Sequence, residues 1–142
     1  MTAKEYLSRA IYARRHVVTC MEQLADLRLM RGNISGQLGG EVHVSGGLPH
    51  SRVEDLAVKI TEAERRLMQE ASEWQEIYAE VSEAIGQVSV GRQQDVLRRR
   101  YLMAQSWEDI VAAYRPVDDR TVYRWHGAAL KSVQELLGPV ED

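Results

Sequence analysis

Several residue types that define protein classes are scarce in this sequence. It has no Phe and a single cysteine, Cys20. A lone cysteine excludes a disulfide framework within one chain and suits a reducing cytosol, where it would act as a small apolar residue on a helix. No signal peptide is visible, and no apolar run approaches the length needed to cross a membrane. We therefore expect a cytoplasmic protein with no membrane partner.

The patterns that carry catalysis or hold metal ions are also missing. No nucleophile lies in a recognisable elbow, and no His pairs with Cys, Asp or Glu at ligand spacing. His43 and His50 have no further ligands nearby, which argues against a zinc site. The glycine-rich stretch at 32–50 has no Lys-Ser or Lys-Thr after it, so it is not a phosphate-binding loop. We predict a protein that is not an enzyme and has no cofactor and no metal.

A strong positive charge is absent, because the formal net charge is -3. A nucleic-acid-binding domain is normally basic, so this balance argues weakly against DNA binding. The distribution is uneven, however: between Arg92 and Leu137 eight basic residues stand against six acidic ones. DNA binding by this region should be weak and strongly salt-dependent per protomer, with useful affinity coming from dimerisation or a partner.

Residues 1–90 contain two stretches with helical periodicity, separated by a region that holds six of the ten glycines. Thr2 and Glu5 form a capping-box pattern before the first stretch, which should run to about Arg31. We predict a flexible linker at 32–50, with a short strand at 41–44 as the less favoured alternative. The apolar face of the first helix is expected to comprise Leu7, Ala10, Ile11, Val17, Val18, Met21, Leu24 and Ala25.

The second stretch, 51–89, has the strongest periodicity in the chain. Its apolar residues recur at steps of three and four, as in a coiled-coil seam. They are Val53, Leu56, Ile60, Ala63, Leu67, Trp74, Ile77, Val81, Ala84 and Val88. Such a seam must be buried, and packing on the first helix would give an antiparallel helical hairpin. The longer second helix would leave an overhang for a second protomer.

Residues 91–138 are predicted to form three short helices, followed by a tail at 139–142. Ser106 precedes Trp107 and has Asp109 three residues later, which is an N-cap pattern. Pro116 ends that helix, because proline lacks an N–H and disfavours helical geometry in the residue before it. Asp118 is then a suitable N-cap for the last helix. The interval 106–137 therefore has the pattern of a helix-turn-helix.

The last helix divides into two faces. An apolar stripe comprises Val122, Trp125, Ala129, Leu130 and Val133, and a polar face comprises Arg120, Tyr123, Arg124, Gly127 and Lys131. Arginine can bind guanine bidentately or contact phosphate, and tyrosine can donate to phosphate. This arrangement favours a helix that reads DNA, although on an isolated helix a solvated charged face would be the simpler interpretation.

The segment RRRYLMAQSWEDIVAAY, followed by RTVYRWHGAALKSV, resembles region four of bacterial sigma factors. More closely, it resembles small phage and prophage proteins with a region-four-like domain, a group that includes phage late-transcription regulators. The matching residues are Val96, Leu97, Arg100, Tyr101, Ser106, Trp107, Glu108, Ile110, Thr121, Val122, Arg124, His126, Ala129 and Leu130. One departure is the turn at 115–118, where that family usually has a glycine and one residue fewer.

The resemblance implies an all-α, DNA-binding regulator of phage or prophage transcription in the bacterial cytoplasm. Its partners would be double-stranded DNA and a second copy in a homodimer or higher homo-oligomer, with RNA polymerase a further candidate. The expected DNA-binding residues are Asp119, Arg120, Tyr123, Arg124 and Lys131 on the last helix, with Ser106, Trp107 and Arg115 on the DNA backbone. Two alternatives stay open: a small-terminase-like DNA-packaging subunit, and an interaction protein that contacts only RNA polymerase or another protein.

Overall fold

A computed structural model describes the backbone of residues 1–40 and 48–139, and the side chains of 1–34 and 52–139. Over these ranges the regular structure is helical throughout. The helices are α1 (Ala3–Gly40), α2 (Leu48–Gly86), α3 (Gly91–Leu97), α4 (Trp107–Ala113) and α5 (Asp119–Leu137). A π-helical turn, Arg98–Leu102, follows α3 directly. The all-α prediction is confirmed.

Helix α1 begins with the predicted capping box. The backbone N–H of Glu5 donates to Thr2 Oγ1 (3.2 Å), and the backbone N–H of Thr2 donates to Glu5 Oε2 (2.8 Å). The bond from the Thr2 backbone lowers the pKa of the Glu5 carboxyl. Two donors that have no partner within a helix are satisfied in this way, which fixes where α1 starts.

Helix α1 extends beyond the predicted end, so the predicted linker at 32–50 is too long. The backbone is helical to Gly40 and again from Leu48. Ile34 supplies a physical reason, because it packs against a buried cluster that includes Leu24 and Leu56. Such packing can offset the cost of about 1 kcal/mol for a glycine inside a helix. The alternative strand at 41–44 lies outside the described residues.

The chain forms two compact units. Met1–Arg14 and Glu73–Asp142 make up the first, called here the terminal unit, and Arg15–Ser72 make up the second, the central unit. The terminal unit contains the start of α1, the end of α2, and the helices α3 to α5. The central unit contains the remainder of α1 and α2. Each has its own apolar cluster.

The terminal unit has two buried clusters that meet at α3. Leu97 belongs to the first, with residues of α1, α2, the π-helical turn and α5, including Leu7, Val81, Ile85, Tyr101 and Val133. Val96 belongs to the second, with Ile110, Val111 and Val122. Consecutive residues on a helix point about 100° apart, so α3 can serve both clusters at once. Helix α5 contributes to both clusters and α4 to the second, so both helices pack in apolar clusters that include α3.

In the central unit, α1 and α2 pack along a narrow seam. Its buried cluster is Leu24, Leu56, Ile60 and Ala63. Arg28 Nη2 lies 3.3 Å from Glu64 Oε1. Cys20 is buried with a free thiol, as predicted.

Three residues assigned to the apolar face of α1 are in fact exposed, namely Val18, Met21 and Ala25. Val18 is 43% exposed and Met21 is 54% exposed, whereas Val17, Cys20 and Leu24 are buried. The buried set advances by three and four residues, which keeps it on one stripe, and positions 18 and 21 lie one residue to the side of it. Helical periodicity alone is compatible with either stripe, and packing buries the stripe that contains Val17, Cys20 and Leu24.

Candidate nucleic-acid interface

Helix α4 starts at Ser106, as predicted. The Ser106 Oγ accepts a hydrogen bond from the backbone N–H of Asp109 at 3.1 Å, and the preceding backbone is extended. Ile110 and Val111 of α4 are then buried against Val96 of α3. The cap sets the start of the helix, and its apolar face locks it to the cluster that also holds α5.

The turn between α4 and α5 contains Pro116, which follows Arg115 through a cis peptide bond. Helix α4 ends at Ala113, and Asp118 occupies the N-cap position of α5. The position of this cap is confirmed, but the Asp118 side chain makes no capping hydrogen bond. Its carboxylate can still act on the positive end of the helix dipole. Arg115 is exposed on this turn.

Helix α5 has the two faces that its sequence predicts. Val122, Ala129 and Val133 are buried, and Trp125 and Leu130 are partly buried. On the opposite side Arg120, Tyr123, Arg124, Gly127 and Lys131 are exposed. At 100° per residue these five positions fall within an arc of about 100°. We call these five residues the basic face.

Two side chains on the basic face have neighbours that orient them. Arg124 Nη2 donates to Thr121 Oγ1 at 3.2 Å, one turn earlier on α5. The Tyr123 ring lies 5.2 Å from the Trp107 ring, centroid to centroid, and is 48% exposed. Both residues remain exposed, although the Arg124 guanidinium and the Tyr123 ring each have a neighbour. Such partial ordering lowers the entropy lost when a side chain binds a ligand.

Trp107 lies beneath the basic face instead of projecting fully into solvent. Its ring packs edge-on against the His126 ring, with the centroids 4.6 Å apart. The Arg100 guanidinium carbon lies over the Trp107 ring, 5.3 Å from its centroid. The sequence pattern put Trp107 among the residues that touch the DNA backbone. Its contacts give it a further role, the support of Tyr123 from α4.

His126 connects α5 to the π-helical turn. Its Nε2 is 2.8 Å from Tyr101 Oη, and the two rings are stacked with centroids 5.8 Å apart. Burial lowers the pKa of His126 to about 4, with the positive charges of Lys4 and Arg100 acting in the same direction. Burial likewise raises the pKa of Tyr101 to about 12. Both groups are therefore neutral near pH 7, and they form a neutral hydrogen bond.

The three consecutive arginines of the π-helical turn have distinct environments. Arg100 donates to the backbone oxygen of Gln105 at 2.9 Å, and Arg99 lies over the Tyr114 ring at 5.5 Å. Both are half-buried, whereas Arg98 is exposed and its Nη1 lies 3.8 Å from Asp95 Oδ1. Arg99 and Arg100 thus lie at the edge of the core. Their charges therefore help to hold the fold together.

The predicted DNA-binding residues are not all brought together. Asp119, Arg120, Tyr123 and Arg124 occupy the first two turns of α5, where a short segment can reach one ligand. Lys131 shares their face but lies about 16 Å along the axis from Arg120. Ser106 is exposed at the start of α4, beside the exposed carboxylates of Glu108 and Asp109. These acidic groups suit the helix dipole, and they would weaken a phosphate contact there.

In the described part of the chain, no group of three or more His, Cys, Asp or Glu residues is placed to hold a metal ion. No helix in these ranges is long and apolar enough to span a membrane. The side chains of His43 and His50 lie outside the described residues.

The basic face of α5 is thus the part of the described surface where charge, exposure and ordered support coincide. Comparison with protein-family models, curated proteins and solved structures gives no match to this chain. The resemblance to sigma region four stays an expectation, and a functional proposal depends on the residues of α4 and α5 themselves.

Proposed function

We propose that this protein is a sequence-specific DNA-binding regulator of phage or prophage transcription that acts in the bacterial cytoplasm. In this proposal α4, the turn at 114–118 and α5 form a helix-turn-helix, which follows a helical hairpin built from α1 and α2. The observation that carries it is the two-sided character of α5. Val122 is fully buried on one side, while Arg120, Tyr123 and Arg124 are exposed on the other.

The physical argument starts from the dimensions of an α-helix, which fits into the major groove of B-DNA. A recognition helix needs a fixed back and long polar side chains near its N-terminus. Arg120 and Arg124 are four residues apart, so they are neighbours on the helix surface and could contact adjacent base pairs or phosphates. Tyr123 lies beside them and rests on Trp107. Asp119 would disfavour phosphate near the start of the helix.

We further propose that affinity depends on self-association into a homodimer or higher homo-oligomer. The slight basic excess of 91–138 gives one protomer little electrostatic affinity for DNA. The central unit exposes large apolar side chains that a second copy could cover, namely Val18, Met21, Leu29, Met30, Val58 and Met68. Two linked binding sites raise the effective affinity without new contacts to each site. RNA polymerase stays a candidate second partner.

The test is selection of binding sites from a random duplex library, followed by titration at about 50 and 200 mM salt. We expect a defined sequence to be enriched, and its binding to weaken steeply at the higher salt. Arg124→Ala should remove about 1–3 kcal/mol of discrimination between the selected site and a base-substituted site. Arg120→Ala/Arg124→Ala should abolish selective binding.

Arg65→Ala/Arg66→Ala is the matched control, because it removes the same charge from exposed positions of α2. It should retain selective binding. Absence of DNA binding by the wild-type protein at both salt concentrations would contradict the proposal and favour a protein-interaction role for α5. Ring-sized assemblies in solution, measured by light scattering, would instead favour the small-terminase-like alternative.

A further inference from the structure

Gly127 is an exposed glycine in the interior of α5, eight residues after its start and ten before its end. Glycine inside a helix is unfavourable relative to alanine, because it loses more backbone entropy on folding. A protein usually accepts that cost where a side chain would collide with a neighbouring element or where the backbone needs a positive φ. Neither reason applies to Gly127.

The surroundings of Gly127 leave room for a side chain. A Cβ atom at this position would have no heavy atom within 4 Å apart from its chain neighbours and the backbone of its own helix, and the φ of Gly127 is not in the left-handed region. Gly138, by contrast, has a φ of 85° at the end of α5, where glycine is favoured. The fold of this chain therefore does not require glycine at 127.

The helix-surface neighbours of Gly127 are the residues three and four positions away. On the exposed side these are Tyr123, Arg124 and Lys131. Gly127 thus lies within the basic face, between the two arginines of the first turns and the lysine of the later turn. The absence of a side chain here leaves the α5 backbone uncovered at this position, in a shallow gap between cationic groups.

We propose that Gly127 marks the place where the α5 backbone comes closest to the sugar-phosphate wall of a DNA groove. This inference rests on the proposed function and specifies how α5 is seated in the DNA. A polyanion fits the gap better than an apolar protein surface, because Arg124 and Lys131 flank it. A methyl group at 127 would hold that wall away by about 1.5 Å. Cations on both sides would then be separated from their phosphates.

The experiment compares Gly127→Ala and Gly127→Leu with Gly32→Ala in the full-length protein. Gly32 is a close match, since it is also helical and exposed, with nothing within 4 Å of a built Cβ. The probe is the duplex selected by the wild-type protein. We expect Gly127→Ala and Gly32→Ala each to raise the thermal midpoint by roughly 2–5 °C. Gly127→Ala should bind the duplex about tenfold more weakly, which corresponds to about 1.4 kcal/mol.

Gly127→Leu should bind more weakly still, and Gly32→Ala should bind like the wild type. If Gly127→Ala binds as the wild type does, while Arg120→Ala/Arg124→Ala does not bind, the inference is wrong and the DNA-binding function stands. Equal losses in Gly127→Ala and Gly32→Ala would also overturn it, because the effect would then not be specific to the basic face. Failure of the wild-type protein to bind any duplex would remove both proposals.

Discussion

The terminal and central units are built from the same two long helices, but they bury their side chains to different depths. Ten large side chains of the described residues are less than 2% exposed, and all ten belong to the terminal unit. The buried residues of the central unit are 3–9% exposed, and they are Val17, Cys20, Leu24, Leu56, Ile60 and Ala63. Depth of burial thus follows the number of elements that surround a residue.

This difference gives a physical reason why α5, the proposed recognition helix, is in the terminal unit. Segments of α1, α2, the π-helical turn and α5 enclose its first cluster, so Leu97 has apolar neighbours from several directions. Among the described residues of the central unit, α1 and α2 alone contribute, and each buried side chain has a partner helix on one side. A recognition surface must keep its geometry without ligand, and several packed elements achieve this better than two.

The largest expected effect tests this difference in depth with the same substitution in each unit. Leu97→Ala should destabilise the terminal unit by about 3–5 kcal/mol, because Leu97 is fully buried and its removal leaves a cavity. Leu56→Ala should destabilise the central unit by about 2–3 kcal/mol, because solvent and nearby side chains can partly fill the space. Amide hydrogen exchange measures both, since it reports local opening segment by segment.

The control for this pair is Glu62→Ala, at an exposed position of α2 in the same unit as Leu56. It should change exchange rates little. If Leu56→Ala reduces stability by as much as Leu97→Ala or more, the central unit is packed as deeply as the terminal unit. The contrast in exposure would then not reflect a contrast in stability.

Local sequence patterns predicted where helices start better than they predicted which residues pack against one another. Thr2 with Glu5, Ser106 and Asp118 were each placed correctly as caps, because capping depends on a few adjacent residues. The all-α class followed from periodicity for the same reason. The length of α1 was underestimated, since the packing of Ile34 on α2 depends on residues far along the chain. The glycine content of this stretch predicts a linker, whereas the backbone is helical to Gly40.

The candidate site was predictable in part. The exposed face of α5 follows from helical periodicity alone. The support of Tyr123 by Trp107, and the hydrogen bond between His126 and Tyr101, do not, because they join residues 16 and 25 positions apart. The π-helical turn shifts the register of Arg99 and Arg100, and helical periodicity does not signal such a turn. Whether these residues bind DNA stays a prediction.

The next largest expected effect is a loss of stability at acidic pH. It should arise from His126 in the terminal unit. Its folded pKa of about 4 is below the ordinary value of 6.5, so the folded state favours the neutral ring. The resulting stability is present above about pH 6.5 and is lost as the pH falls toward 4. We expect the free energy of unfolding to fall by about 1 kcal/mol between pH 7 and 5, after a reduction for the partial solvent exposure of the ring.

Urea unfolding followed by tryptophan fluorescence measures this change, because Trp74, Trp107 and Trp125 all lie in the terminal unit. His126→Gln is the control, since glutamine stays neutral and can still hydrogen-bond to Tyr101. Its stability should depend less on pH over the same interval. Parallel pH profiles for the two proteins would show that His126 is not responsible for the loss.

The smallest expected effects come from the ion pairs that join α1 to α2, one in each unit. Arg9 Nη2 lies 3.1 Å from Glu80 Oε2, and Arg28 Nη2 lies 3.3 Å from Glu64 Oε1. All four side chains are substantially exposed, so double-mutant cycles with Gln should give coupling energies of about 0.2–1 kcal/mol in both units. Arg9→Gln alone should cost more than Arg28→Gln, because Arg9 also donates to the Tyr6 carbonyl and lies over its ring. A coupling energy for Arg28 and Glu64 well above 1 kcal/mol would mean that charge, and not its narrow apolar seam, holds the central unit together.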